Sequence, residues 1–590
     1  MRAVGLDFGT TNSAIGVVED GNVRLAKFAH AQGFTETFRS LLYFHPDAYD
    51  TSRPSLMGRH SAGESFLRGF IRHATVDRLH LYDAAGGQLS AYQALLNRVE
   101  PTDKPVNWIA RRERNRLAEA GCLNLPVPGV GLEAWHRRAM GARSYSLCGI
   151  THTTATHRTM DAIADLVTGP TERWDALICT STAVRRSVEV QLEAVREDLR
   201  ARLGATRFPE PEIATIPLGI NTADFAASPE HRRAWREKLD IPQDAVVCLY
   251  VGRLSPTGKM NPALMAIALE DAAKATGKDI YWVVSGWAAD EKATEKYHAD
   301  TRAFCPSIHY RSVDGRPADT RFSIWSVADF FISLSDNIQE TFGLTPAEAM
   351  AAGLPCVVTD WDGYRETVRP ELDGFRIPTY APTPGVGRDI AYHYASDWVD
   401  YSNYIAAAAQ MTAVDLRAAT GAIIALVTNP DLRRTQGESA LRHAAQTLDW
   451  QAIIPQYQAL WAELGARRAA SKPQDVIAPQ ILDNPRRMDP FTLFASYPTH
   501  TLGNEDRIAL ARGMSWAEAQ ARLSQPLAQL GRWALPSVAQ LQPCFDFLVP
   551  RASATVAEIV EQFPPGRRPA MARALLHLAK YGIVTVTPER

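Results

Sequence analysis

The stretch S-D-N-I-Q-E-T-F-G-L-T-P-A-E-A-M-A-A-G-L-P-C-V-V-T-D, Ser335 to Asp360, decides the architecture. Glu340 and Glu348 bracket the turn Phe342-Gly343-Leu344-Thr345-Pro346, and Gly353-Leu354-Pro355 leads into the apolar run Cys356 to Thr359. Thr345 is a capping residue type, Pro346 suits the first helical position, and Glu348 then falls in the first turn. A loop followed by a helix N-terminus leaves backbone N–H groups and the positive end of the dipole aimed at one place, a cradle for an anion. One carboxylate precedes the loop and the other sits on the helix.

Outward from this stretch, short apolar runs recur at Val246–Val251, Ile280–Ser285, Ile308–Tyr310 and Phe330–Leu334, with helical patterns between them. Such alternation predicts a parallel α/β sheet. A second set lies upstream, at Leu41–Phe44, Leu79–Tyr82, Val106–Ala110, Ser144–Ile150 and Ala176–Thr180. Helical patterns fall near Leu89–Asn97, Thr156–Thr168 and Thr182–Arg202. Ser61-Ala62-Gly63-Glu64 reads as a capping run before a helix Ser65–Arg72.

The bulk numbers exclude several classes. An apolar share of 46% and a charged share of 22% are ordinary for a globular chain. A formal net charge of −2 gives no reason to expect nucleic acid or an anionic membrane as partner. No apolar run reaches the roughly 18 residues of a membrane span, and the N-terminus has no secretory pattern. The seven cysteines are dispersed without a CxxC pair, which predicts reduced thiols, a cytoplasmic setting and no zinc site.

Three further clusters carry chemistry. Val251-Gly252-Arg253-Leu254-Ser255, with Lys259 six residues after Arg253, ends a strand in a glycine and two cations, suited to charge developing on phosphates. Gly149-Ile150-Thr151-His152 places His152 at a strand's carboxyl edge, where open α/β sheets bind ligands. Gly286 follows Val283-Val284-Ser285, and Asp360-Trp361-Asp362-Gly363-Tyr364-Arg365-Glu366, with a tight turn at Gly363, is placed to line the same cleft.

The Glu340-to-Glu348 segment resembles the E-x7-E signature of retaining glycosyltransferases of the GT-B fold, family four (glycosyl transferases group 1). The two glutamates, the Phe-Gly-Leu turn, the Ala-Met pair and the Gly-Leu-Pro all stand in register. Ile216-Pro217-Leu218-Gly219-Ile220-Asn221-Thr222-Ala223-Asp224-Phe225 resembles the family's hinge, and Ile453–Leu464 its returning terminal helix. The resemblance implies an α/β chain with two Rossmann-like domains facing across a cleft, residues 40–215 for the acceptor and 216–465 for the nucleotide-sugar donor. It implies Arg253 and Lys259 as diphosphate ligands, Glu340 at the donor sugar, Glu348 on the ribose, and His152 touching donor or acceptor. Gly343, Leu344, Thr345, Gly252, Gly286 and Gly63 would complete the substrate-binding set. The implied enzyme is a metal-independent hexosyltransferase with no cofactor, the nucleotide sugar being a substrate. Its partners would be that donor and a saccharide or glycolipid acceptor, with a peripheral membrane or protein contact at the inner face of the membrane.

The ends differ from the middle. Residues 1–39 begin as a β-meander whose D-F-G-T-T-N-S loop, Asp7 to Ser13, resembles the first phosphate loop of the heat-shock chaperone and actin ATPases. The later motifs of that family do not follow, so the expectation is a fragment without ATPase activity. Residues 466–490 read as a polar linker. Residues 491–590 read as a mainly helical accessory module: a helix over Thr555–Phe563, a second over Arg567–Tyr581, then a strand over Gly582–Val586. That order resembles a winged helix. It leaves a second reading open, a scaffold or regulator with an interaction or DNA-binding module and a degenerate transferase core.

Overall fold

Aliphatic runs without polar alternation become strands buried on both faces, and such strands need helices on each side of their sheet. The computed structural model describes residues 40–51, 58–476 and 484–589, together with the strand backbone of the first 39 residues. The first sheet has seven strands. Their spatial order is Glu212–Thr215, Ala176–Cys179, Ser146–Ile150, Cys122–Asn124, Ser40–Phe44, Leu79–Asp83 and Val106–Ile109. Every pairing is parallel.

The second sheet has six strands, also parallel throughout. Its order is His309–Asp314, Ile280–Trp287, Val246–Arg253, Phe330–Ser333, Cys356–Thr359 and Gly374–Ile377. Numbered along the chain this is 3-2-1-4-5-6, the doubly wound order. The winding reverses between Val246–Arg253 and Phe330–Ser333. A crevice opens at the carboxyl ends of strands flanking such a reversal. Two Rossmann-like layers meeting across a cleft make the GT-B arrangement expected from the sequence.

The chain crosses between the layers twice, at one place. Ile220 N donates to Leu448 O at 2.8 Å and Trp450 N to Ile220 O at 3.1 Å, so the hinge and the start of the return helix Trp450–Ala470 pair with each other. Trp450 is fully buried and donates through Nε1 to Ser65 Oγ at 2.8 Å. Its indole lies where glycines let two backbones approach: a Cβ at Gly69 would stand 2.3 Å from Trp450 Cγ, and one at Gly219 2.6 Å from Trp450 Cδ2. Arg68 adds a bidentate pair to Asp224 at 2.5 and 2.6 Å.

Several expectations shift. The helix expected at Ser65 begins at Gly58 and runs to His73, so Ser61–Glu64 is helix interior rather than a cap. The preceding loop contains a short helix, Pro46–Tyr49. Strands Cys122–Asn124 and Glu212–Thr215 were not foreseen; at three and four residues neither shows a period. The return helix continues to Ala470, past the expected boundary. Arg468 is buried there, bonding Gly121 O and Ser146 Oγ, so residues 466–470 pack on the first sheet and are not linker.

The N-terminal strands Ala3–Phe8, Ser13–Glu19 and Asn22–Leu25 form the expected antiparallel meander. The Gly9–Asn12 part of the phosphate-like loop lies outside the described residues. Residues 485–590 make a separate compact unit. Its helices Trp516–Leu523, Val538–Leu548, Val556–Val560 and Arg568–Lys580 enclose a core of Ile508, Leu541, Phe545, Ile559, Leu575 and Leu578. Strand Val584–Thr587 pairs with Arg507–Leu510, a strand not expected from the sequence, which pairs in turn with Ala554–Thr555.

Candidate active site

The reversal point of the second sheet collects the sequence-predicted cations. Strand Val246–Arg253 ends in Gly252 and Arg253, and Gly252 stands opposite Gly286 in register. A Cβ on Gly286 would lie 2.0 Å from Gly252 O, so the pair keeps the two strand ends in close approach. The Gln339 amide, oriented by its neighbours, accepts from Arg253 Nη2 at 2.9 Å and donates to Gly258 O at 3.0 Å. Lys259 N donates to Ser255 O at 2.9 Å, which turns the segment back toward the crevice. Lys259 Nζ there forms an ion pair with Glu340, both side chains being largely shielded from solvent.

Gly343 caps the helix Leu344–Ala351 in a left-handed conformation, with φ +80°. This corrects the expected start: Thr345 is the second helical residue rather than the cap, Pro346 is the third, and Glu348 falls in the second turn. The cause is Tyr364. A Cβ on Gly343 would stand 1.8 Å from Tyr364 Cε1, and the Tyr364 hydroxyl is 2.8 Å from Ser333 Oγ, so the ring occupies the place a side chain would take. Gly363 packs likewise, a Cβ there falling 2.5 Å from Phe342 Cα. The two loops after the adjacent strands Phe330–Ser333 and Cys356–Thr359 therefore interlock, with the first turn of the helix at their rim.

Three carboxylates around this rim titrate high. Burial pushes Glu348 up to about 7, with the charges of Arg321 and Lys259 opposing it. Burial also lifts Asp336 to about 6. Asp362 is pushed up to about 7 by burial; the Ser181 hydroxyl pulls the other way, and the charges of Glu340 and Glu366 add to the rise. Lys259 pairs with Glu340, and its charge also reaches Glu348.

The first layer reaches the same rim. His152 follows strand Ser146–Ile150, and its carbonyl accepts from Thr341 Oγ1 at 3.1 Å, one residue from Glu340. Thr180 Oγ1 donates to Thr341 O at 3.2 Å. Ser181 Oγ donates to Asp362 Oδ1 at 2.6 Å, and Thr182 N to Glu366 Oε1 at 2.5 Å. The structure so brings together Glu340, Lys259, Arg253, Glu348, Gly252, Gly286, Gly343, Leu344, Thr345 and the His152 loop. Gly63 plays a different part: it lies inside the helix Gly58–His73, where a Cβ would meet Ala48 O at 1.9 Å, and serves close packing on the Pro46–Tyr49 turn. The sequence places the Asp360–Glu366 loop in the cleft but does not reveal its partners Ser181 and Thr182 or the role of Gln339. Their only signal was position, at the ends of strands Ala176–Cys179 and Phe330–Ser333.

Residues 231–384 match the family model described as glycosyl transferases group 1. Among curated relatives, the D-inositol 3-phosphate glycosyltransferase of Streptosporangium roseum is 30% identical over 173 residues, 29% of this chain and 39% of that one. The lipopolysaccharide 1,2-N-acetylglucosaminetransferase of Salmonella typhimurium is 23% identical over 188 residues, 31% of this chain and 48% of that one. The chain thus spans under half the length of these relatives. Among solved structures, Anabaena Alr3699/HepE in complex with UDP and glucose is 15% identical, with a TM-score of 0.45 over 72% of this chain and 100% of that chain. The segment matched by that family model, residues 231–384, holds Arg253, Lys259, Glu340 and Glu348 at the reversal point of the second sheet.

Proposed function

We propose that this chain is a retaining glycosyltransferase that moves a hexose from a nucleotide sugar to a saccharide or glycolipid acceptor without a metal ion. The observation that carries the reading is the Lys259–Glu340 pair, seated beside a helix N-terminus at the reversal point of the second sheet. Cations and oriented N–H groups act where charge develops as the donor breaks. Arg253 and Lys259 supply the cations; Gly343, Leu344 and Thr345 supply the helix end. Glu340 faces the anomeric carbon, where positive charge appears, or holds the sugar's hydroxyls, and Glu348 takes the ribose hydroxyls.

The chemistry asks little covalent work of the protein. The bond from the anomeric carbon to the phosphate oxygen breaks, the acceptor oxygen bonds that carbon from the same face, and the acceptor's proton passes to the departing phosphate. His152, whose backbone is tied to Thr341, takes the role of touching the donor sugar or the acceptor. The names of the relatives, which include inositol phosphate and lipopolysaccharide, support an acceptor that offers a hydroxyl group. A thermal-shift screen of nucleotide sugars, followed by product analysis of the stabilising donor, tests the reading. Stabilisation by a nucleoside diphosphate sugar and a product with the donor's anomeric configuration are expected. An inverted product, or no stabilisation by any such donor, contradicts it.

A further inference from the structure

The helix pair Arg388–Ala395 and Tyr401–Gln410 follows the family-matched segment and carries an unusual density of rings. Its inner face is tied to the cleft. Tyr394 is buried between His157 of the first layer, stacked at 3.7 Å and 18°, and Tyr404, stacked at 4.2 Å and 10°. His157 N also bonds the Tyr394 hydroxyl at 3.1 Å. Tyr401 neighbours Thr153, next to His152, and lies within reach of the charge of Arg253. The outer face is open. Trp398 is 69% exposed and Tyr392 60% exposed, and Trp398 stacks on His393 at 5.1 Å and 18° with its edge toward Tyr392 at 5.9 Å.

Exposed rings held rigid by their neighbours, on a helix pair whose other face packs at the cleft, suit a ligand with flat apolar C–H faces and polar edges. A pyranose ring has that form. The charge around them narrows the choice. The pair carries Arg388 against Asp389, Asp397 and Asp400, so an anionic lipid surface or nucleic acid meets repulsion while a neutral ligand does not. The geometry points to an acceptor subsite: Trp398, Tyr392 and His393 hold a neutral oligosaccharide by stacking and lead its end toward His152 and Glu340. This assignment rests on the transferase reading above.

The test uses the full-length chain and the double variant Trp398→Ala/Tyr392→Ala, whose exposed side chains leave the Tyr394 stack untouched. Both are applied to an array of neutral oligosaccharides and to vesicles of phosphatidylcholine with phosphatidylglycerol. Both are also titrated with the nucleotide sugar that stabilises the wild type. The wild type is expected to bind at least one neutral oligosaccharide, and the variant to bind it about tenfold or more weakly, with unchanged donor affinity and no vesicle binding. Equal oligosaccharide binding by both proteins, none by the wild type, or vesicle binding in its place overturns the subsite. If the wild type binds no nucleotide sugar at all, the transferase reading fails, and the subsite with it.

Discussion

Ser181 Oγ donates to Asp362 Oδ1 at 2.6 Å, joining the N-terminus of the first layer's helix Thr182–Leu203 to a loop of the second layer. Glu366 accepts from Thr182 N in the next position, so two carboxylates of one loop face one helix N-terminus. That is where a helix dipole favours negative charge. Asp362 nevertheless titrates high because burial outweighs the dipole and Glu340 and Glu366 repel its charge. The Ser181 bond favours the ionised carboxylate, but burial and the repulsion from Glu340 and Glu366 outweigh it and favour the protonated form.

The consequence for stability has a definite sign. With its pKa raised from 3.8 to about 7, folded Asp362 binds more protons than unfolded Asp362 across that window, so stability falls as pH rises through it. Asp362→Asn keeps an oxygen for Ser181 and tolerates the local φ of +43°. Its Tm is expected to match wild type near about pH 4 and to exceed it by roughly 2–4 °C near about pH 8. Thermal melts across pH check this; a gain only at low pH contradicts it.

Gly343→Ala places a methyl group on Tyr364 at a positive φ. The backbone and overpacking terms together predict a loss of about 2–5 kcal/mol. Gly141 has φ +97°, but a methyl group there would meet nothing within 4 Å, so Gly141→Ala is the control, expected to cost about 1–2 kcal/mol. Urea denaturation of both variants measures the difference.

Trp450→Ala empties the crossing between hinge and return helix and strips Ser65 of its indole donor. A loss of about 3–5 kcal/mol is expected. Denaturation midpoints check the size. A change under about 1 kcal/mol would mean that the crossing does not hold the two layers together.

The second-layer half of the candidate site was legible because its residues sit at strand ends within short motifs. Gly252, Arg253 and Lys259 lie in one segment, and Glu340 to Glu348 in another. The alternation of strand and helix predicts a parallel sheet, while the strand order that brings the two segments side by side is seen only in the structure. The helix cap was misread because Tyr364 intervenes, and Tyr364 is twenty-one residues beyond Gly343. Ser181 and Asp362 are 181 residues apart and meet only once both layers have formed, so no local pattern announces them. The tyrosine-rich helix pair escaped notice for a related reason: its value lies in His157 and Thr153, which belong to the other layer.

The most direct measurement is release of nucleoside diphosphate from a panel of nucleotide sugars by the wild type, Lys259→Ala and Glu340→Ala, each confirmed folded. The donor-clamp account predicts turnover of at least one donor by the wild type and a drop of about 100-fold or more in each variant. Turnover at the wild-type rate by both variants, or no turnover of any donor by the wild type, would contradict it.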